Sequence, residues 1–273
     1  MHNAAFKHFD ISATYELFDI PESEFDKFFD EYVFNGKLNG FNVTVPYKIK
    51  AFEKIRSSKR VFCFPEGVEK FLCSINTVKV EPDNLYGDNT DLHGFLISLT
   101  EETSFILNEK KIFISGAGGA GGPISIFMAG DKDIGMVNVY DPDPDKLEFL
   151  RVLFEGTSIS GKINLIESKE DVPAKLRECD LFVNASGLGT KIGDLMPINP
   201  NMLKNGAVVY DLVYARETEL VTRARARGLT AVNGLGMLVN QGALAFEIWT
   251  GKPYEEIRKV MHRAAEEKLK GAA

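Results

Sequence analysis

A glycine-rich loop in the middle of the chain constrains the fold more than any other feature. Residues 111–115 predict a short strand, the pattern Gly116-x-Gly118-x-x-Gly121 follows, and a helix is predicted over 123–129. Glycines at this spacing let the chain turn sharply and let backbone N–H groups approach a pyrophosphate at the positive end of the helix. This order predicts a dinucleotide-binding unit, although a bare tight turn can carry the same pattern. The predicted cofactor-binding residues of the loop are Gly116, Ala117, Gly118, Gly119, Ala120 and Gly121.

An acidic residue follows the loop at a distance typical of such sites. Asp141 closes the next predicted strand, 136–140, about 25 positions after Gly116 and near the ~20 expected of a ribose-binding acid. A carboxylate there can accept hydrogen bonds from both ribose hydroxyls of NAD and would repel the extra phosphate of NADP. No Lys or Arg stands between Asp141 and Lys146, so these residues favour NAD.

Helix and strand signals alternate along most of the chain, which predicts an α/β protein with a largely parallel sheet. Helical patterns then dominate the C-terminal part. Further strands are predicted at 40–45, 74–80, 85–87, 162–166, 180–184 and 207–213, and further helices at 21–33, 91–101, 145–154, 173–179, 217–227, 237–250 and 253–270.

Composition narrows the class of protein. The 273 residues suggest one large domain or two of ordinary size. The net charge of −7 argues against a general surface for nucleic acid or acidic membranes, and no apolar run reaches the ~18 residues of a membrane helix. Cys63, Cys73 and Cys179 form neither a disulfide framework nor a zinc motif, and no metal site is predicted. With no signal peptide at the N-terminus, a cytoplasmic protein is expected.

Two side chains are the candidates for acid–base chemistry. Lys48 follows 42–47, and Asp91 ends the segment Asn89-Thr90-Asp91. Each is ordinary by itself, because most lysines are solvated and an Asp before a helix is often its N-cap. Both follow short apolar strands ahead of the nucleotide-binding segment, whereas the four histidines fall in no catalytic pattern.

Taken together, the motifs resemble those of the shikimate dehydrogenase family. The agreement covers almost the whole chain in order and spacing, so it is far more specific than any single motif. The matching segments are 42–48 (Asn-Val-Thr-Val-Pro-Tyr-Lys), 74–78, 87–94, 116–121, 184–189, 211–214 and 234–241.

The resemblance implies the reversible reduction of 3-dehydroshikimate to shikimate with a nicotinamide cofactor. It implies a substrate domain of residues 1–91 plus 234–273, a Rossmann-like domain of 92–233, and substrate bound in a cleft. Lys48 would be the acid/base and Asp91 its orienting partner. Thr44, Asn76, Asp91, Tyr214 and Gln241 would contact the substrate, whereas Asn184, Ser186, Leu212 and Gly234 would contact the cofactor. A small-molecule substrate and a monomer or homodimer are expected, without a nucleic-acid or membrane partner.

The sequence departs from the family pattern at three places. The family has a strand and a Ser-x-Ser pair ahead of the segment matched by residues 1–6, and a chain without them is expected to hold the substrate carboxylate less tightly. Gly122-Pro123 stands where the family often has Arg, and Asp141-Pro142-Asp143 stands where it often has Asn-Arg-Thr. Both changes remove positive charge, so NADP, the family's usual cofactor, and NAD both remain open.

Two alternatives to an NAD(P)-dependent shikimate dehydrogenase also remain. One is an NAD-dependent quinate/shikimate dehydrogenase, which Asp141 and Asp143 favour. The other is a nucleotide-binding protein without catalysis, against which Lys48 and Asp91 argue.

Overall fold

The computed structural model describes residues 1–44, 46–58 and 74–271, together with the backbone of 61–63. The helices of these residues are α1 (His2–His8), α2 (Phe25–Phe28), α3 (Lys48–Arg56), α4 (Thr90–Thr103), α5 (Gly121–Gly130), α6 (Pro144–Phe154), α7 (Val172–Glu178), α8 (Glu219–Ala226), α9 (Leu235–Thr250) and α10 (Tyr254–Lys270). The strands are β1 (Gly40–Asn42), β2 (Val61–Cys63), β3 (Thr77–Val80), β4 (Asn84–Asp88), β5 (Lys110–Ser115), β6 (Ile134–Tyr140), β7 (Ile163–Ile166), β8 (Leu181–Asn184), β9 (Val208–Asp211) and β10 (Thr230–Val232).

The chain forms two compact units. The first, here called the catalytic unit, comprises Met1–Gly94 and Val239–Ala273, and the second, the nucleotide unit, comprises Phe95–Leu238. The divisions fall inside α4 and α9, whereas the sequence analysis placed them at 91/92 and 233/234. The predicted α/β class, with C-terminal helices returning to the first unit, is confirmed.

The sheet of the catalytic unit has the strand order β1-β3-β4-β2. It is mixed, because β1 with β3 and β3 with β4 pair antiparallel, whereas β2 and β4 pair parallel. The turn around Pro82-Asp83 is too short for a crossover and makes β3 and β4 a hairpin. A buried apolar cluster beside this sheet contains Phe25, Phe29, Val33, Ala51, Ile55, Ile75, Val78 and Leu85.

The C-terminal helices are anchored to the same unit by polar and aromatic contacts. The Trp249 indole N–H of α9 donates to the carbonyl of Val78 at 3.0 Å, and the Tyr254 hydroxyl of α10 donates to Asn240 Oδ1 at 2.9 Å. The Phe6 ring of α1 lies 4.8 Å from the Phe246 ring of α9. The contacts of Trp249 with Val78 and of Phe246 with Phe6 join the first and last parts of the chain into one unit.

The nucleotide unit contains a six-stranded parallel sheet with the order β10-β9-β8-β5-β6-β7. The order reverses between β5 and β8, and ligands of open α/β sheets bind outside the carboxyl ends of the strands at such a point. Ser115 pairs in register with Tyr140 and Asn184, and Asn184 pairs with Asp211. The glycine loop, Asp141, Asn184 and Asp211 therefore lie along one edge of the sheet.

Several predicted elements differ from the observed ones. The helix predicted over 21–33 is a 3-10 turn, the four-residue α2 and a π-helical segment, Phe29–Phe34. The strand predicted over 40–45 ends at Asn42, and Val45 lies outside the described residues. Neither α3 nor β10 was predicted, because α3 buries only three of nine side chains and β10 has only three residues.

Within the described residues, no helix is long and apolar enough to cross a membrane. Cys179 has a free thiol, and burial raises its pKa to about 12, so it stays protonated and unreactive. Cys73 and the side chain of Cys63 lie outside the described residues, so the prediction about their pairing stays a prediction.

Candidate functional site

The catalytic unit brings the two acid–base candidates together. Lys48 begins α3 and Asp91 lies in the first turn of α4, and the Lys48 ammonium forms an ion pair with Asp91 Oδ2. The Lys48 side chain is 10% exposed and that of Asp91 is 18% exposed. A charge in such a position needs a partner, because an unpaired ion out of water is costly. The pair presents an ammonium with exchangeable protons beside a fixed carboxylate.

A network of neutral side chains holds Asp91 in place. Asn76 is buried, its Oδ1 accepts the Thr90 backbone N–H at 2.8 Å, and its Nδ2 donates to Thr90 Oγ1 at 3.0 Å. Asn76 Oδ1 also accepts the Thr77 hydroxyl at 3.0 Å. The Asn76 amide therefore fixes the start of α4. Asp91 lies one residue inside this helix, so its carboxylate pairs with Lys48 instead of serving as the predicted N-cap.

The other residues predicted to contact substrate are divided between the units. Thr44 is exposed beyond β1, and Gln241 is half-buried on α9, both in the catalytic unit. Gln241 is packed closely, since a Cβ built on Gly94 would lie 2.7 Å from its backbone nitrogen. Tyr214 belongs to the nucleotide unit, where it is 44% exposed.

Each of the three motif glycines has its own spatial requirement. Gly116 has φ +105°, and a Cβ there would lie 2.6 Å from the carbonyl oxygen of Ala185. A Cβ on Gly121 would lie 1.9 Å from the carbonyl oxygen of Gly116, whereas a Cβ on Gly118 would meet nothing within 4 Å. The first and third glycines thus serve close packing of the protein, and the second faces open space that a ligand can enter.

The loop and the start of α5 also supply hydrogen-bond donors. Within the described part of the chain, the backbone N–H groups of Gly118, Gly119 and Ala120 have no acceptor. They precede a ten-residue helix, whose N-terminus carries partial positive charge. Free amides, a positive helix end and an open surface at Gly118 fit the phosphates of a dinucleotide.

The Asp141 carboxylate accepts hydrogen bonds from the backbone of the protein itself. Its carboxylate is buried, Oδ2 accepts the Ala117 N–H at 2.9 Å, and Oδ1 accepts the Asp143 N–H at 3.0 Å. The Lys146 ammonium lies 3.7 Å from Oδ1. Asp141 therefore ties the glycine loop to the end of β6, a role that the sequence spacing did not reveal.

A second carboxylate at the same place is more accessible. Asp143 Oδ1 accepts the Asp145 N–H at 3.1 Å and caps α6, while Oδ2 lies 3.8 Å from the Lys146 ammonium. The Asp143 side chain is 45% exposed. Sequence analysis counted Asp143 among the charges that favour NAD, but it named only Asp141 as the cofactor-binding acid.

The remaining predicted cofactor residues lie at or just beyond the ends of β8, β9 and β10. Asn184 is buried and accepts the Ser186 hydroxyl at 2.6 Å. The Leu212 N–H donates to the Asn184 carbonyl at 3.0 Å, and a Cβ on Gly234 would lie 2.2 Å from the carbonyl oxygen of Leu212. These loops pack on one another through backbone atoms. Asp211, at the end of β9, is fully buried among them.

Comparisons with known proteins agree with this geometry. Residues 1–60 match the family model of the shikimate dehydrogenase substrate binding domain, and residues 234–266 match that of the shikimate 5'-dehydrogenase C-terminal domain.

Individual relatives match nearly the whole chain. A shikimate dehydrogenase (NADP(+)) of Methanococcus maripaludis strain C6 is 32% identical, with 99% of this chain and 92% of the relative covered. Shikimate 5-dehydrogenase of Listeria monocytogenes, solved with shikimate and NAD, is 29% identical with a TM-score of 0.77, covering 95% of this chain and 90% of that one. The shikimate 5-dehydrogenase of Thermus thermophilus, solved with NADP(H) and shikimate, is 27% identical with a TM-score of 0.75, covering 96% and 92%.

Proposed function

The chain belongs to the shikimate dehydrogenase family, and we propose that it catalyses the reversible NAD(P)-dependent oxidation of shikimate to 3-dehydroshikimate. The observation that carries this proposal is the largely buried ion pair between Lys48 and Asp91. A protein that only binds nucleotides has no need of a shielded ammonium in a separate unit. The named activity of the relatives and the ligands of the two solved structures support the choice of substrate.

Lys48 supplies the proton chemistry of the proposed reaction. Reduction of a ketone places negative charge on its oxygen, and an ammonium near that oxygen stabilises the charge and then donates a proton to it. In the oxidation direction, neutral Lys48 accepts the hydroxyl proton. Asp91 fixes the position of the lysine nitrogen and is in turn fixed by Asn76 through Thr90.

The nucleotide unit holds the cofactor in this proposal. When bound, the nicotinamide donates or accepts the hydride of the reaction. The free amides of Gly118, Gly119 and Ala120 would hold the pyrophosphate, and Gly118 leaves room for its approach. Leu212 and Gly234 would contact the nicotinamide through their backbone, as the family resemblance implies.

For the cofactor, we propose a preference for NAD over NADP. Asp141 is engaged by two backbone amides, so Asp143 is the carboxylate with an accessible oxygen for the adenosine ribose. The negative charges of the Asp141 and Asp143 carboxylates exceed the single positive charge of Lys146. The 2'-phosphate of NADP would therefore be repelled.

Replacing Asp143 with serine should shift this preference. Serine also caps helices, so α6 is retained while the charge is lost. We expect the NADP/NAD ratio of kcat/KM to rise about tenfold, since unit charges near 4 Å interact by roughly 1–4 kcal/mol at a protein surface. Steady-state kinetics with both cofactors measures the ratio. Glu148→Gln removes one charge a turn later on α6 and should leave the ratio unchanged; equal ratios in the two variants would contradict the assignment to Asp143.

The substrate is tested by comparing shikimate with quinate. Turnover of shikimate and little turnover of quinate is the expected result. Efficient oxidation of quinate with NAD would instead identify a quinate/shikimate dehydrogenase. Binding of cofactor without turnover of either substrate would overturn the proposed catalytic function.

A further inference from the structure

We propose that the buried carboxylate of Asp211 is a positioning residue for the cofactor, because it joins the loops that follow β8 and β9 at the edge of the sheet. This inference rests on the proposed function only in taking that edge as the dinucleotide site. None of the roles implied by the family resemblance falls on Asp211. The evidence for this role is a set of hydrogen bonds that meet at the Asp211 side chain.

Three donors from different segments meet at Asp211. Oδ1 accepts the side-chain amide of Asn184 at 2.8 Å and the backbone N–H of Val213 at 3.1 Å. Oδ2 accepts the hydroxyl of Thr218 at 2.5 Å. Thr218 also caps α8 by accepting the N–H of Val221. One carboxylate thus connects the end of β8, the loop after β9 and the start of α8.

Asn184 extends the connection into the loop after β8. Its Nδ2 donates to the Leu188 carbonyl at 2.9 Å as well as to Asp211. Its Oδ1 accepts both the Ser186 hydroxyl at 2.6 Å and the Ser186 N–H at 3.2 Å. The glycine loop rests on this segment, because a Cβ on Gly116 would lie only 2.8 Å from Ser186 Cα. A shift of the Asn184 side chain is therefore transmitted to the surface that receives the phosphates.

The surroundings of Asp211 make a rearrangement costly. The residue has no exposed surface, and burial raises the pKa of its carboxyl although its hydrogen bonds act in the opposite direction. Arg216 is the charged side chain whose field lowers that pKa. Its Nη2 donates to the carbonyls of Gly189 and Lys191, both at 2.6 Å, and so it braces the same loop from the other side. Loss of Asp211 would leave several buried donors without an acceptor.

A partly exposed carboxylate at the opposite end of β8 supplies a control within the same sheet. Asp180 accepts the Lys111 N–H at 2.9 Å and pairs with Lys204 at 2.8 Å. It therefore also joins neighbouring segments of the same sheet, but at the amino end of β8. If Asp211 served stability alone, Asp180→Ala and Asp211→Ala would have the same kind of effect.

Isothermal titration of the full chain with NAD separates these cases. Asp211→Ala should weaken NAD binding about tenfold or more, because the buried donors left without an acceptor would turn to other partners and reorient the loop. KM for shikimate should change little, and Asp180→Ala should bind NAD like the wild type. Unchanged NAD affinity in Asp211→Ala, or an equal loss in Asp180→Ala, would overturn the inference. A wild type that binds no dinucleotide would overturn the proposed function itself.

A second variant tests the pairing directly and does not require Asp211→Ala to fold. Asn184→Asp places two carboxylates in contact, and such a pair shares one proton with a strongly raised pKa. NAD binding by this variant should be weak at about pH 8 and recover by several-fold at about pH 6, where the shared proton restores a donor towards Asp211. The wild type should change by less than about twofold over the same range. A variant with the wild-type profile would contradict the role of the Asn184–Asp211 hydrogen bond.

Discussion

Replacing Lys48 with methionine should lower kcat for shikimate oxidation by about a thousandfold, because general acid–base catalysis contributes 10²–10⁴-fold in rate. Methionine keeps much of the length of the side chain and removes its exchangeable protons. Binding of NAD should remain within about twofold of the wild type, since Lys48 belongs to the catalytic unit and the glycine loop to the nucleotide unit. Stopped-flow or steady-state absorbance of the reduced nicotinamide measures kcat.

Lys54 provides the matched control for this experiment. It lies on the same helix, α3, and its ammonium is also ion-paired, at 3.2 Å from Asp26 and 3.4 Å from Asp30. Lys54→Met should therefore retain nearly full activity. An equal loss in both variants would show that disruption of α3, and not loss of a proton donor, explains the result.

The unpaired Asp91 left by Lys48→Met needs a separate control. A shielded carboxylate without its partner destabilises the folded state, so some activity could be lost through unfolding. The double variant Lys48→Met with Asp91→Asn removes this charge, and it should regain thermal stability without regaining activity. Recovery of turnover in the double variant would contradict the assignment of Lys48 as the acid/base.

Gly121→Ala should have the second largest effect, because it should lower both the affinity for NAD and the stability of the folded protein. The new Cβ would lie 1.9 Å from the carbonyl oxygen of Gly116, a backbone atom that cannot move without displacing the loop. Overpacking of this kind typically costs about 1–3 kcal/mol, and we expect NAD affinity to fall at least tenfold as well. Thermal denaturation and NAD titration measure the two effects.

Gly118→Ala is the counterpart that separates packing from ligand contact. Its Cβ would meet no protein atom within 4 Å, so the melting temperature should stay at the wild-type value. NAD binding should still weaken, because the methyl group occupies the space through which the pyrophosphate approaches the loop amides. A loss of stability in Gly118→Ala, or a fully stable Gly121→Ala, would contradict the roles given to these glycines.

The features that sequence analysis anticipated have local signatures. The glycine loop is defined by a strand, three glycines and a helix in direct succession, and the parallel sheet of the nucleotide unit follows from alternating strands and helices. Lys48 and Asp91 are far apart in the sequence, and their pairing was expected only through the family resemblance. In the structure the two side chains form an ion pair, as the resemblance implied.

The features that sequence analysis missed depend on which donors surround a side chain. Asp141 has the spacing of a ribose-binding acid, but its two oxygens accept backbone amides of the protein. Asn76 and Asn184 lie in motifs implied to bind ligands, and their amides hold helix α4 and the loop after β8. The sequence gives the type of each residue, but the partners of its side chain, a ligand or a neighbouring loop, depend on the folded structure. In the sequence, Asp211 is the polar end of the otherwise apolar run Val208–Asp211 and the first residue of the matched segment 211–214, and neither feature gives it a role.

The most direct test of the central claim is the absorbance of reduced nicotinamide during shikimate oxidation, measured in parallel with NAD and NADP on the wild type and on Lys48→Met. We predict turnover by the wild type, faster with NAD than with NADP, and its loss in Lys48→Met. A wild type that binds NAD but oxidises no shikimate with either cofactor would contradict the proposed enzyme.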